Sequence, residues 1–306
     1  MNAVIVAEGV RHTYKSGAVA LNNVDLEIGT GLFGLLGSNG AGKSTLMRII
    51  CTLLVPTHGR VTVNGLDVVT ERRAVRRLFG YLPQEFSAWR LQTASEVLDT
   101  LAALSGLGDP RARRRRIDAV LESVGLTKVA GRKVKQLSGG MTRRLGVAQA
   151  LVHEPNVLIV DEPTVGLDPE ERLRFRQLMA ELGRDRAIVL STHIVADLGA
   201  GCSDLALLDR GEVVFRGTPT ELVQRAAGQV VEVTVPESAE MSVAERLEVV
   251  ARRGGDGMIT LRGVVNVGGA PRDASVVEDV TLEEAYLAFM AGRGRHVEAL
   301  GIEDNA

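Results

Sequence analysis

Cysteine is scarce in this chain: 306 residues hold two, Cys51 and Cys202. Two cysteines in apolar or mixed stretches make no disulfide framework and fit a reducing compartment. Positive charge is not in excess either. The formal net charge is -2, which excludes a global pull toward nucleic acid or anionic lipid. No run of 18 apolar residues occurs, so the chain is expected not to span a membrane. The start, MNAVIVAEGV, lacks a basic segment followed by a long apolar one, and no signal peptide is expected there. There is no internal repeat. Five arginines crowd into Arg111 to Arg116, but no aromatics interleave with them, so a solvated helix face is expected and nucleic acid is not. What is present is the composition of a folded protein, 45% hydrophobic and 24% charged, long enough for one large domain and a small appendage.

Residues Gly37 to Thr45 read GSNGAGKST. A short apolar run, Leu32 to Leu36, precedes them and predicts a buried strand. Leu46, Met47, Ile49 and Ile50 follow at helical spacing. Glycines between a strand and a helix N-terminus are the setting of a phosphate-binding loop. Gly37, Gly40 and Gly42 let backbone N–H groups turn inward, with Ser38, Asn39 and Ala41 between them, and the helix start adds partial positive charge. Lys43 can reach β and γ phosphates, Ser44 can ligate Mg²⁺, and Thr45 can bind phosphate. A second signal is Val157-Leu158-Ile159-Val160-Asp161-Glu162-Pro163. Four apolar residues predict a central parallel strand with two acids at its C-terminal end, where open α/β sheets place their sites. Asp161 can hold the Mg²⁺ shell through water. Glu162, expected to point the opposite way along the strand, is a candidate general base.

Leu137-Ser138-Gly139-Gly140-Met141 is the third signal. With it the chain resembles the ATP-binding subunits of ATP-binding cassette proteins over residues 1 to about 228. The resemblance implies that Ser138, Gly139 and Gly140 present a serine and backbone N–H groups to the γ-phosphate of an opposite subunit. It implies that Gln84, in Gly80-Tyr81-Leu82-Pro83-Gln84-Glu85, touches Mg²⁺ or the attacking water. It places Gly166-Leu167-Asp168-Pro169 at a dimer interface, His193 on the γ-phosphate and Tyr14 on the adenine ring. Glu162, His193, Gln84 and Lys43 are thus the expected catalytic set, and Ser44, Gln84 and Asp161 the expected metal set. Ser38 stands where many exporters of the family have proline, and Phe86 to Arg90 is less regular than the family's stretch that meets the membrane partner.

The fold expected is α/β: an ABC-type P-loop ATPase domain over 1–228, carrying an antiparallel β subdomain and an inserted helical subdomain over about 85–155. A small α+β extension follows over 229–306. Apolar alternation at Val4, Val6, Val10, Val24, Leu26 and Ile28 predicts antiparallel strands, and Asn64-Gly65 predicts a tight turn after Val61-Thr62-Val63. Ile188 to Leu190 and Leu205 to Leu208 predict later core strands. In the extension, Val230 to Val235 and Met258 to Leu261 predict strands. Glycines at 254, 255 and 257 predict one turn, and Gly268-Gly269-Ala270-Pro271 another. Thr281-Leu282-Glu283-Glu284 predicts a capped helix with Leu282, Ala285, Tyr286 and Phe289 on one face, and the tail after Arg293 is expected to fray.

The resemblance implies ATP and Mg²⁺ as ligands and a head-to-tail ATP-bound dimer. It implies a separately encoded integral membrane permease and a place on the cytoplasmic face of the membrane. Met141, the Leu190-Ser191-Thr192-His193 stretch and the extension resemble the drug and antibiotic exporter group. An importer subunit, a soluble cassette acting on ribosomes or DNA, and a scaffold with a dead site are the alternatives.

Overall fold

The computed structural model describes residues 3–199, 201–266 and 269–295. They fall into two compact units divided between Arg216 and Gly217. In the first unit the chain runs through β1 (Ile5–Thr13), β2 (Val19–Ile28), β3 (Gly31–Leu36), α1 (Lys43–Ile50), β4 (His58–Val63), β5 (Leu66–Asp67), α2 (Arg72–Leu78) and β6 (Phe79–Leu82). It continues through α3 (Ala94–Leu104), α4 (Pro110–Ser123), α5 (Gly139–Leu151), β7 (Val157–Asp161), α6 (Pro169–Leu182), β8 (Ala187–Thr192), β9 (Cys202–Asp209) and β10 (Glu212–Gly217).

Six strands form the main sheet in the order β10-β9-β3-β8-β7-β6. β3 runs parallel to β8 and β9, and β7 runs parallel to β6 and β8. Every residue of β7 and β8 is buried, and each strand opens on an apolar run, Val157 to Val160 and Ala187 to Leu190, before ending in polar residues at the site. The parallel arrangement brings the C-terminal ends of β3, β7 and β8 together, and the candidate site is built there.

A second sheet, β2-β1-β4-β5, is antiparallel. Its alternation departs from the expected register. Ile5, Ala7, Val10 and His12 are the buried positions of β1, and Val6 is only half-buried. Gly9, at φ 55, marks an irregularity that shifts the parity of the strand. The predicted turn at Asn64-Gly65 is present, with φ of 48 and 79.

α3 and α4 occupy the expected helical stretch. Thr93 and Glu96 close a capping box on α3, and Asp109 caps α4 ahead of Pro110. The arginine run on α4 is more than a solvated face. Arg113 pairs with Asp99 at 2.7 Å, Arg114 with Asp118 at 3.2 Å and Arg116 with Glu154 at 3.1 Å. Arg116 also donates to the carbonyls of Leu151 and Val152.

The second unit contains α7 (Pro219–Arg225), β11 (Val230–Pro236), α8 (Glu240–Ala244), β12 (Leu247–Gly255), β13 (Met258–Val265), β14 (Ser275–Val276) and α9 (Leu282–Ala291). Its sheet, in the order β12-β13-β11-β14, is antiparallel. Val231, Val233, Leu247, Ile259 and Leu261 pack as its core. α7 packs against α9, which is why the division falls before α7 and not at the sequence-based boundary of 228. β12 was not expected, because LEVVARRGG alternates poorly and ends in charge and glycine. Gly254 and Gly255 lie in that strand, and the turn is at Asp256-Gly257. α9 has its capping box, but Leu282 and Phe289 are half-buried while Ala288 and Met290 are fully buried. Gly268 of the predicted turn and the tail from 296 onward lie outside the described residues.

Both cysteines are free and buried. Burial raises both thiols above the usual value, Cys202 to about 11. Among the described residues, no helix is long and apolar enough to cross a membrane.

Candidate active site

The loop after β3 passes very close to its neighbours. A Cβ on Gly37 would fall 2.3 Å from the Leu208 carbonyl oxygen, and one on Gly42 would fall 2.5 Å from that of Ala20. Gly42 also holds φ 109 as the N-cap of α1, so both positions require glycine. Ser38, Asn39, Gly40, Ala41, Gly42, Lys43, Ser44 and Thr45 line a cleft of about 690 Å³. Tyr14, Gln84, Glu162 and His193 line it as well. Far apart in sequence, they meet at the C-terminal ends of β3, β7 and β8, joined by Tyr14 from the end of β1 in the second sheet.

Lys43 is only 4% exposed, and its Nζ donates to the carbonyls of Gly37 at 2.6 Å and Ser38 at 3.2 Å. It lies 3.3 Å from Glu162 Oε1. Burial lowers its pKa, and the Glu162 carboxylate opposes that shift. The other oxygen of Glu162 lies 3.2 Å from His193 Nδ1 and accepts from Gln84 Nε2 at 3.4 Å. The four residues expected to be catalytic therefore meet around one carboxylate.

Glu162 does not continue the strand alternation as expected. β7 ends at Asp161, and Glu162 adopts a left-handed backbone, φ 42. Such a conformation costs of order 1–3 kcal/mol in a side chain this size and needs support from its surroundings. Ser191 supplies it: the Glu162 N–H meets both the hydroxyl and the carbonyl of Ser191 at 3.1 Å. The same hydroxyl donates to Asp161 Oδ1 at 2.6 Å. Burial raises the Asp161 carboxyl above its usual value, against hydrogen bonds from Ser191 and Ser44. Ser191 was not singled out from the sequence. Its only signal was its place two residues before His193.

Tyr14 stands at the cleft mouth. Its hydroxyl is 3.0 Å from Thr45 Oγ1, and its ring meets the edge of His12 at 4.7 Å. Ser138 caps α5 by accepting from the Met141 N–H at 3.1 Å. Ser138, Gly139 and Gly140 do not line the cleft of their own chain. A Cβ on Gly139 would meet open space, whereas one on Gly140 would strike Glu171 at 2.2 Å. Asp168 caps α6 through the Glu171 N–H at 2.9 Å.

The expected metal set offers hard oxygen donors: the Ser44 hydroxyl, the Asp161 carboxylate and the Gln84 amide. Among the described residues, no three His, Cys, Asp or Glu side chains converge to hold a metal ion by themselves. That donor set suits Mg²⁺, which keeps waters and takes ligands from nucleotide phosphates.

Residues 21–165 match the ABC transporter family model. The daunorubicin resistance ATP-binding protein DrrA3 of Streptomyces coeruleorubidus is 34% identical over 97% of this chain and 98% of its own length. The chain belongs to the ABC transporter ATP-binding proteins. The methionine import ATP-binding protein MetN 2 of Burkholderia mallei is 40% identical to this ABC protein over 65% of the chain and 52% of that protein. A bacterial ABC transporter cassette solved as a dimer superposes with a TM-score of 0.63, at 30% identity, over 70% of this chain and 98% of that one. The same cassette has been solved in a post-hydrolysis state bound to ADP and Pi, with a TM-score of 0.63 and 29% identity. This chain is an ABC-type ATPase.

Proposed function

We propose that the chain powers an export transporter for drug-like or antibiotic-like small molecules. ATP binds in the phosphate-loop cleft, with Tyr14 on the adenine and Lys43 on the β and γ phosphates. Ser44, Gln84 and Asp161 hold Mg²⁺, which supplies charge stabilisation on the phosphates. Glu162 orients the attacking water and accepts its proton, and His193 holds the γ-phosphate. Two copies pair head to tail, so that Ser138, Gly139 and Gly140 of one close over the phosphate loop of the other. The open space at Gly139 and the absence of this segment from its own cleft favour that arrangement. The membrane spans belong to a separate permease, which holds the ATPase at the cytoplasmic face.

The observation that carries export over import is the reach of the similarity. The match to the resistance protein runs through both units, 97% of the chain, while the match to the import protein covers 65%. The test uses cells deleted for this gene and daunorubicin as the probe. The deletion should raise intracellular daunorubicin, the parent gene should restore efflux, and Glu162→Gln should not. Membrane association of the tagged protein should vanish when the permease gene is deleted. Loss of methionine uptake with unchanged drug accumulation would favour the importer reading.

A further inference from the structure

Asp197 ends a 3-10 turn at Val195–Asp197 and is buried, 1% exposed. A buried carboxylate is costly unless its oxygens are satisfied. Here one oxygen is heavily used and the other is not. Oδ2 accepts from Thr164 Oγ1 and, at 3.0 Å, from Thr192 Oγ1. Oδ1 has no hydrogen-bond donor among the described residues and lies 3.7 Å from Arg172 Nε on α6. A second arginine of α6, Arg176, donates to the Ala196 carbonyl at 2.7 Å and fixes the turn from the same side.

The two threonines are close neighbours of the chemistry. Thr164 follows Glu162 by two residues, and Thr192 immediately precedes His193. Thr192 Oγ1 also receives the Ile194 N–H at 2.9 Å, which pins the backbone on the far side of His193. Glu162 sits in a left-handed backbone that has to be held in place. Its Oε2 is 3.2 Å from His193 Nδ1. One carboxylate therefore ties together the two segments whose side chains meet over the cleft, and it does so without reaching the cleft itself.

We propose that Asp197 is a positioning residue for ATP hydrolysis, setting Glu162 and His193 against each other through Thr164 and Thr192. The proposal rests on the roles given above to Glu162 and His193. Removing the clamp displaces both side chains slightly and leaves the phosphate loop untouched. Turnover should therefore suffer while nucleotide binding does not. The expected fall in kcat for Asp197→Ala, which removes the oxygen that both threonines use, is about 10- to 100-fold, the scale of a small misplacement of reacting groups.

The test compares the full-length parent with Asp197→Ala, Thr164→Val, Thr192→Val and Thr192→Ser. Single-turnover hydrolysis, ATP affinity by calorimetry and the thermal midpoint are measured for each. ATP affinity should stay within about threefold of the parent while kcat falls, and Thr192→Ser should recover most of the rate lost in Thr192→Val. Thr164→Val combined with Asp197→Ala should lose no more than the worse single variant, because the residues act as one unit. A kcat for Asp197→Ala within about twofold of the parent would overturn the proposal. So would losses that track ATP affinity and thermal midpoint throughout the series. If Asp197→Ala does not fold, equal rates for Thr192→Val and Thr192→Ser overturn it instead. Glu162→Gln and His193→Ala run in parallel: parent-like turnover in both removes the underlying role assignment, whereas loss in both with a normal Asp197→Ala removes the clamp alone.

Discussion

Lys43 and Glu162 form a buried ion pair at 3.3 Å, and a nucleotide γ-phosphate would compete for the same ammonium. Two expectations follow from that competition. Lys43→Ala should abolish measurable ATP binding in a calorimetric titration, because the loop loses its only side-chain cation on the phosphates; parent-like affinity would contradict the assignment. Glu162→Gln should bind ATP at least as tightly as the parent, since the internal rival anion is gone. Its single-turnover hydrolysis should fall about 10²-fold or more, the scale of a lost general base. The tight loop and the start of α1 were legible in nine residues because their geometry is local: glycines, a lysine and a helix start follow one another directly in the chain. The orientation of Glu162 was not. It depends on Ser191, far along the chain and on the adjacent strand, and no local pattern around Asp161 announces a left-handed residue.

The start of α9 was readable from its cap and acidic partner, Thr281 and Glu284, whereas the same box at Thr93 and Glu96 and at Thr218 and Glu221 was not read. What could not be read was the second use of Glu284. It also takes the Arg262 guanidinium of β13 at 2.5 and 2.9 Å. Burial pushes its carboxyl up, but the Arg262 and Thr281 hydrogen bonds outweigh that and hold it below the usual value. A lowered carboxylate contributes stability above its unfolded pKa of about 4.3 and loses it as pH falls through the folded value. Glu284→Gln should therefore cost about 1.5–3 kcal/mol at pH 7, and the gap from the parent should narrow in melts at pH 4. A constant gap would contradict this account. At the start of α5 the two glycines should part company. Gly140→Ala should lower the thermal midpoint because its Cβ strikes Glu171, which is bound to Arg144 and Arg174. Gly139→Val has room in the single chain, so its midpoint and ATP affinity should match the parent's while hydrolysis falls as the partner's phosphate is kept away.

For the whole molecule, the proposed head-to-tail pair is tested by mixing two damaged chains. Lys43→Ala spoils a phosphate loop and Ser138→Arg spoils the segment that covers one. An isolated mixed dimer then has one doubly damaged site and one intact site, and it should bind one ATP; two or none would contradict the arrangement. At this scale the order of motifs made the ATPase unit legible, since each motif is short and their sequence spacing follows the β-α alternation. The second unit was half legible. β11 and α9 carry regular patterns, whereas β12 is held by pairing with β13 and shows little pattern of its own. The two cysteines have a practical consequence. Both are enclosed, and a thiol at about 11 is ionised in only about one molecule in ten thousand at pH 7. The parent should therefore be nearly inert to maleimide dyes. A single cysteine at Met241, where the native side chain is 80% exposed, would then be the one fast-labelling position. Fluorescence transfer between two such copies could time their approach with no native residue removed from either core.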